Sequence, residues 1–211
     1  MALDLEEQEQ VDALKAWWKQ HGNKALGLLA LFVASVAAWN GWQGYQARQA
    51  GEAAALFDVL RKELSSNNVK RIREVGGQLI DKYPRTAYAV DAAMFVAKAN
   101  FESGDSKSAK AQYQWVIDHA KQAQSQDLAR MRLAVVLLDE KNYVESLKLL
   151  EAKHDAAFDP LFSDLKGDVY ALQGKSREAR TAYQAAIAAL PKDAQFKNYV
   201  QIKLDALGEQ G

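Results

Sequence analysis

The chain of 211 residues contains no cysteine. A disulfide framework, thiolate metal sites and cysteine nucleophiles are thereby excluded, and the redox compartment is left open. Proline is nearly missing too, with 3 residues, and glycine is modest at 12. With few turn formers and no strand-type alternation, the expected fold class is all-α. There is no excess of either charge, 27 Lys and Arg standing against 27 Asp and Glu. No basic field invites a polyanion, so nucleic acid is not an expected partner.

Catalytic signatures are also scarce. There is no nucleophile elbow and no glycine-rich dinucleotide fingerprint. Gly174, Lys175 and Ser176 look like the end of a phosphate-binding loop, but the glycine required five residues before Gly174 is Val169. A turn between helices accounts for them. His21, His119 and His154 have no second ligand one helical turn away, so they read as solvated or capping side chains. Asp164 and Asp168 share a helix face, as acidic pairs on solvated helices commonly do. No catalytic, cofactor or metal residue is assigned, and the expectation is a protein that is not an enzyme and needs no cofactor.

What the chain does have is a long apolar run. Ala25 to Trp42 reads ALGLLALFVASVAAWNGW, with Ser35 and Asn40 as its polar members. A helix of that length covers about 27 Å, close to the hydrocarbon thickness of a bilayer. Trp17 and Trp18 precede it, and Trp39, Trp42 and Tyr45 gather at its far end, where amphipathic rings settle in membrane interfaces. These features predict an uncleaved transmembrane helix over 25–45. A buried helix of a soluble core would not collect tryptophan at both ends. A cleaved signal peptide ending at the small residues Ser35 and Ala37 is the other reading, opposed by the acidic start Asp4, Glu6, Glu7, Glu9 and Asp12. Lys15, Lys19 and Lys24 before the span against Arg48 after it favour a cytoplasmic N-terminus, although Arg61 and Lys62 level the count over a wider window. Ala30, Ala34 and Ala38 form a row of small residues on which a second membrane helix could pack. Before the span, Val11, Leu14, Trp17 and Trp18 make the apolar stripe of an amphipathic helix over 1–24, with Gly22 expected to end it.

Beyond the span, helical segments of 12 to 20 residues alternate with turns at Ser65–Asn68, Ser103–Ser106, Glu140–Asn142, Gly174–Ser176 and Pro191–Asp193. Such a succession calls for a search for repeats. Gly167, Tyr170, Gly174, Ala179, Tyr183, Ala186 and Pro191 fulfil the tetratricopeptide pattern: small residues where two helices cross, tyrosines in the grooves, proline at the end. Weaker copies hold Ala97, Gly104, Ala109 and Tyr113, and then Leu133, Ala134, Ser146 and Leu150. The small residues Ala109, Ser146 and Ala179 are 37 and 33 apart, bracketing the period of 34. A first hairpin, Gln43 to Ser65 and Asn68 to Tyr83, fits by length. Phe196, Val200, Leu204 and Leu207 line one stripe of a terminal capping helix. The predicted architecture over 46–211 is a short helical solenoid.

In such a solenoid the first helices of successive hairpins line a concave face. That register assigns Met94, Lys98 and Phe101 from one copy and Met131, Val135 and Leu138 from the next to an apolar, adaptable binding groove. If they face a groove, Phe101→Asp with Leu138→Asp weakens binding and leaves the fold intact. If neighbouring helices cover them, the same pair unfolds the domain.

The acidic start, QVDALKAWWKQHGNKA leading into one span, the AWNGWQGYQ exit, the degenerate hairpins and the YVQIKLDAL ending together resemble the YfgM family of bacterial inner-membrane proteins, ancillary subunits of the SecYEG translocon. The resemblance implies a cytoplasmic N-terminus and a periplasmic repeat domain. It implies association with SecYEG and a PpiD-like periplasmic chaperone, handling of unfolded, newly translocated polypeptides, and no enzymatic activity. Two other roles stay open from the residues alone: a periplasmic scaffold for envelope assembly, and a regulator acting through its cytoplasmic N-terminus.

Overall fold

The computed structural model describes residues 2–191 and 193–208, the side chains of 2–6 excepted. The side chains of Asp4 and Glu6 of the acidic start, and the whole of Lys192 of the last turn and of residues 209–211 of the expected repeat domain, therefore lie outside what the structure describes. All elements among those described are helical: α1 (Ala2–Ser65), α2 (Val69–Lys82), α3 (Ala87–Glu102), α4 (Ser106–His119), α5 (Ala123–Asp139), α6 (Tyr143–Glu151), a 3-10 turn (Ala156–Phe158), α7 (Asp159–Leu172), α8 (Ser176–Ala189) and α9 (Gln195–Ala206). The chain divides into two units, Met1–Gln49 and Ala50–Gly211.

The first unit is the leading part of α1. The expectation that Gly22 ends a separate amphipathic helix is not met, because the helix continues through it. The indole of Trp18 lies over Gly22, where an added Cβ would sit 3.2 Å from the ring. The glycine thus serves as a seat for tryptophan and remains helical. Trp17 stacks on His21 at 5.6 Å, and Trp42 packs beside Tyr45 at 6.1 Å. The apolar run is exposed along its length, and α1 is long and apolar enough to cross a membrane. The Ser35 hydroxyl donates to the Leu31 carbonyl at 2.8 Å, which satisfies it within the helix and makes it compatible with lipid.

The second unit is a stack of four hairpins and a cap. The end of α1 packs on α2 through Ala53, Leu60, Ile72, Val75 and Leu79, while α3 pairs with α4, α5 with α6 and α7 with α8, and α9 covers the last pair. The four hairpins close in the same way. A left-handed residue occupies each turn: Asn67 (φ 52°), Gly104 (84°), Lys141 (59°) and Gly174 (73°). The amide after each donates five residues back, Asn68 to Glu63, Asp105 to Asn100, Asn142 to Leu137 and Lys175 to Tyr170, at 2.8–3.1 Å. Each left-handed residue's own amide closes the inner ring, onto Leu64, Phe101, Leu138 and Ala171. This double closure consumes the last carbonyls of the first helix and turns the chain sharply into the second. Side-chain caps then start the following helices, Asn68 accepting from the Arg71 amide and Asp105 from the Ser108 amide at 3.0 Å, which holds the Asp105 carboxyl below its ordinary pKa.

Small residues set the crossings. A Cβ on Gly167 would lie 2.3 Å from the Tyr183 ring, so α7 and α8 can approach this closely only at glycine. In the third hairpin Ser146 takes the small position, fully buried, and its hydroxyl donates to the Ala134 carbonyl at 2.9 Å. Between hairpins, Gly76 of α2 admits Val96 of α3 in the same manner. Of the motif positions read from the sequence, Ala97, Ala109, Tyr113, Leu133, Ala134, Leu150, Ala179, Tyr183 and Ala186 are buried and Tyr170 is half-buried against the last cluster.

The cap carries a polar network. Lys203 of α9 reaches Asp164 Oδ2 at 2.9 Å and Asp168 Oδ2 at 2.7 Å, and the Tyr183 hydroxyl donates to Asp168 Oδ1 at 2.8 Å. Asp164 and Asp168 are thus not a solvated pair: they converge on one half-buried ammonium. Burial raises the Asp164 pKa against the opposing pull of Lys203. For Lys203, burial disfavours the charge, but the hydrogen bonds to Asp168 and Asp164 outweigh it and raise the pKa. Desolvation together with the Asp168 hydrogen bond pushes the Tyr183 phenol well up.

Candidate binding groove

The concave face is built by the first helices of successive hairpins. Alanines at 89, 92, 93, 97 and 99 turn inward on α3. They let it pack closely, and they leave the bulkier residues of its other side to face out. Between α3 and α5 lies a groove of about 440 Å³ lined by Asp91, Met94, Phe95, Lys98, Phe101 and Glu102 on one wall and Leu128, Arg132 and Val135 on the other, with Tyr113 of α4 at its base. Phe95 and Leu128 are each 37% exposed, large apolar side chains held in water. The apolar strip continues onto the end of α1, where Phe57 packs 5.3 Å from Tyr88 and 6.3 Å from Phe95.

Four of the six groove residues expected from the sequence are brought together here: Met94, Lys98, Phe101 and Val135. Met131 and Leu138 are not. They pack half-buried against the cluster of Ala134, Leu150, Phe162 and Val169, where the next hairpin covers them. Sequence reasoning missed Phe95 because its stripe on α3 was drawn too narrowly, through Met94, Lys98 and Phe101 alone, and missed Leu128 and Arg132 because its register stood one turn off on α5. The signal was present: once the inward alanines of AYAVDAAMFVAKANFE are set aside, Asp91, Phe95, Lys98 and Glu102 form the opposite stripe.

Charge on the groove is balanced. Lys98 pairs with Glu102 at 3.6 Å on α3. Arg132 and Asp91 form no ion pair among the described residues, and partial burial raises the Asp91 carboxyl pKa. Burial likewise raises the phenol of Tyr113. Asn100, which on a solenoid of this kind could offer its amide to a ligand, is buried and accepts from Arg73 Nε at 2.5 Å.

A smaller hollow of about 300 Å³ opens beside the α2–α3 and α4–α5 connections, among Pro84, Thr86, Val90, His119 and Gln122. His119 stacks on Trp115 at 4.6 Å, while His154 stacks on Phe162 at 3.8 Å and reaches Asp159 Oδ1 at 3.1 Å. Of the two expected roles His154 takes the capping one, its Nδ1 2.8 Å from the carbonyl of Ala152 at the end of α6, and it is packed in the α6–α7 connection rather than solvated. No group of side chains suited to a metal ion occurs among the described residues. Ala30, Ala34 and Ala38 are exposed on α1.

The tetratricopeptide repeat-like domain family matches residues 15–209. A protein of Neisseria gonorrhoeae named Ancillary SecYEG translocon subunit is 35% identical over 208 residues, covering 98% of this chain and 100% of that protein. Proteins of the same name from Haemophilus influenzae and Aggregatibacter actinomycetemcomitans are each 25% identical, covering 88% of this chain and 91% of their own. The solenoid, the apolar helix ahead of it and these end-to-end similarities agree: the chain belongs to the tetratricopeptide repeat-like domain family and, within it, to the family of ancillary SecYEG translocon subunits.

Proposed function

We propose that this chain is a non-enzymatic accessory subunit of the SecYEG translocon in the bacterial inner membrane. Residues 1–24 form its cytoplasmic amphipathic segment, 25–45 its single transmembrane helix and 46–211 its periplasmic repeat domain. The observation that carries this reading is the 35% identity, over 98% of the chain, to a protein named for that role. Its partners are the translocon, a PpiD-like periplasmic chaperone, newly translocated polypeptides still unfolded, and the lipid around the span. The α3–α5 groove, through Met94, Lys98, Phe101 and Val135 together with Phe95 and Leu128, takes a polypeptide partner. Met131 and Leu138 support its α5 wall from behind. The row Ala30, Ala34 and Ala38 offers a neighbouring membrane helix a close approach. A non-catalytic role suits the chemistry, since the carboxylates of Asp164 and Asp168 are engaged by the Lys203 ammonium, and the Tyr183 hydroxyl donates to Asp168.

Purification from membranes in mild detergent, at native expression levels, is expected to recover translocon subunits with this chain; their absence overturns the assignment. Orientation is read separately, and the lack of native cysteine makes it direct. Ser66→Cys is expected to react with a membrane-impermeant maleimide in intact spheroplasts, and Gln8→Cys only after lysis. The reverse pattern would place the repeat domain in the cytoplasm.

A further inference from the structure

The groove between α3 and α5 has walls whose backbone groups are already spent within helices. A ligand seated there meets side chains only. Asp91 to Glu102 extends about 16 Å, three helical turns. An extended chain crosses that distance with about five residues, which bring about ten backbone donors and acceptors out of water. The lining offers few partners for them: the Tyr113 hydroxyl, Asp91 and Arg132, with Lys98 and Glu102 already paired to each other and Asn100 turned away to Arg73. An extended ligand would leave most of its backbone desolvated and unmatched over Phe95, Phe101, Leu128 and Val135. A helix brings its backbone bonds with it and presents apolar side chains at the spacing of three turns.

We propose that the groove receives one amphipathic helix of a partner protein, its apolar stripe on Phe95, Phe101, Leu128 and Val135, with an acidic residue facing Arg132 and a basic residue facing Asp91. The charge pattern carries the second half of this assignment. Arg132 and Asp91 stand at the groove as opposite charges without ion-pair partners among the described residues, whereas Lys98 and Glu102 satisfy one another. A helix with one acid and one base flanking its stripe completes both and leaves the groove neutral. Met94, half-buried beneath the strip, lets the floor adjust to leucine, isoleucine or phenylalanine on the incoming face.

The inference rests on the groove being a partner site, as proposed above. It is tested on the full chain in lipid nanodiscs against two displayed peptide libraries of 14 residues. In one, apolar residues recur at i, i+4, i+7 and i+11; the other has the same composition with two central prolines that block the helix. Peptides enriched from the first library are expected to bind at least about tenfold more weakly to Phe95→Asp, whose melting curve stays that of the parent. Arg132→Glu is expected to weaken the same peptides about tenfold, and replacing the peptide's facing acid by arginine to restore binding. Enrichment confined to the proline library, no saturable binding from either, or peptides indifferent to Phe95→Asp overturns the proposal. Copurification of translocon subunits is scored on the parent chain. If the parent chain recovers translocon subunits but binds no helix, the helix occupant alone is lost; if the parent chain recovers no translocon subunit, the family role is lost independently.

Discussion

Leu138 and Phe95 are both large apolar residues on first helices, yet they stand in different solvents. Leu138 packs against the cluster of Leu150 and Phe162 under the next hairpin, whereas Phe95 is held in water at the groove. A carboxylate at 138 would replace apolar packing against that cluster and lose part of its hydration, so Leu138→Asp is expected to destabilise the domain by about 3 kcal/mol. Phe95→Asp loses little, because its new charge stays hydrated. Thermal melting of the two single variants checks this, and equal melting temperatures would contradict it. The contrast bears on how much a residue-level reading can extract from sequence. Both helices carry apolar residues on more than one stripe, and only the inward alanines of α3 separate the packed side from the open one. On α5 that marker is thinner, Ala129 and Ala134 alone, and there the expected face drifted by a turn toward the covered side. Gly167 was legible for a related reason: glycine opposite a tyrosine has few uses in a helix other than a close crossing.

At the scale of elements, the hairpins were readable from their turns because glycine, asparagine and proline mark them. The first hairpin, which hardly matches the motif, nonetheless closes like the others, with Asn67 in the place of Gly104 and Gly174. Lys141 fills that place in the third, a residue that gives no sequence signal for a left-handed turn. The cap network was not legible at all. Asp164 and Asp168 look like a solvated acidic face until α9 brings Lys203 onto them from 35 and 39 residues away. Lys203→Met would leave two adjacent carboxylates without their cation and is expected to cost about 3 kcal/mol near neutral pH. The sign of its pH dependence follows from the raised Lys203 pKa. The stabilisation is complete below the ordinary lysine value of 10.5 and is lost as pH climbs through the raised folded value. Tyr183 acts in the same direction, since its phenol resists ionisation in the fold while the unfolded chain ionises from about pH 10. Acidification has no such effect through Asp164: with a raised pKa, its protonated form is the one the fold favours. Melting temperatures of parent and Lys203→Met, followed by circular dichroism from pH 7 to beyond 11, are therefore expected to converge above pH 10.5. A gap that stays constant would show that the ammonium charge contributes nothing.

At the scale of the whole molecule, net charge of zero and mean hydropathy of −0.32 average over segments suited to different solvents. Residues 25–47 carry no charge, while the remainder beyond them holds 22 acids and 24 bases. The division in the structure follows the same line. Among the described residues, every buried cluster draws on residues from Ala53 onward, whereas the large apolar side chains from Val11 to Tyr45 are exposed. A segment that contributes nothing to any core cannot be what holds the solenoid folded, and its exposed leucines, phenylalanine and tryptophans require another apolar solvent. The sequence made this partition legible through the charge-free run and its flanking tryptophans, since both are local signals that need no tertiary contact. A fragment of residues 50–211 is therefore expected to be soluble without detergent and to melt within about 4 °C of the full chain in nanodiscs, a shift corresponding to less than about 1 kcal/mol for a domain of this size. The full chain is expected to resist extraction from membranes by alkaline carbonate. A fragment that aggregates, or melts much earlier, would mean that the leading part of α1 is needed for the solenoid's stability; a full chain released by carbonate would mean that its apolar run does not sit in lipid.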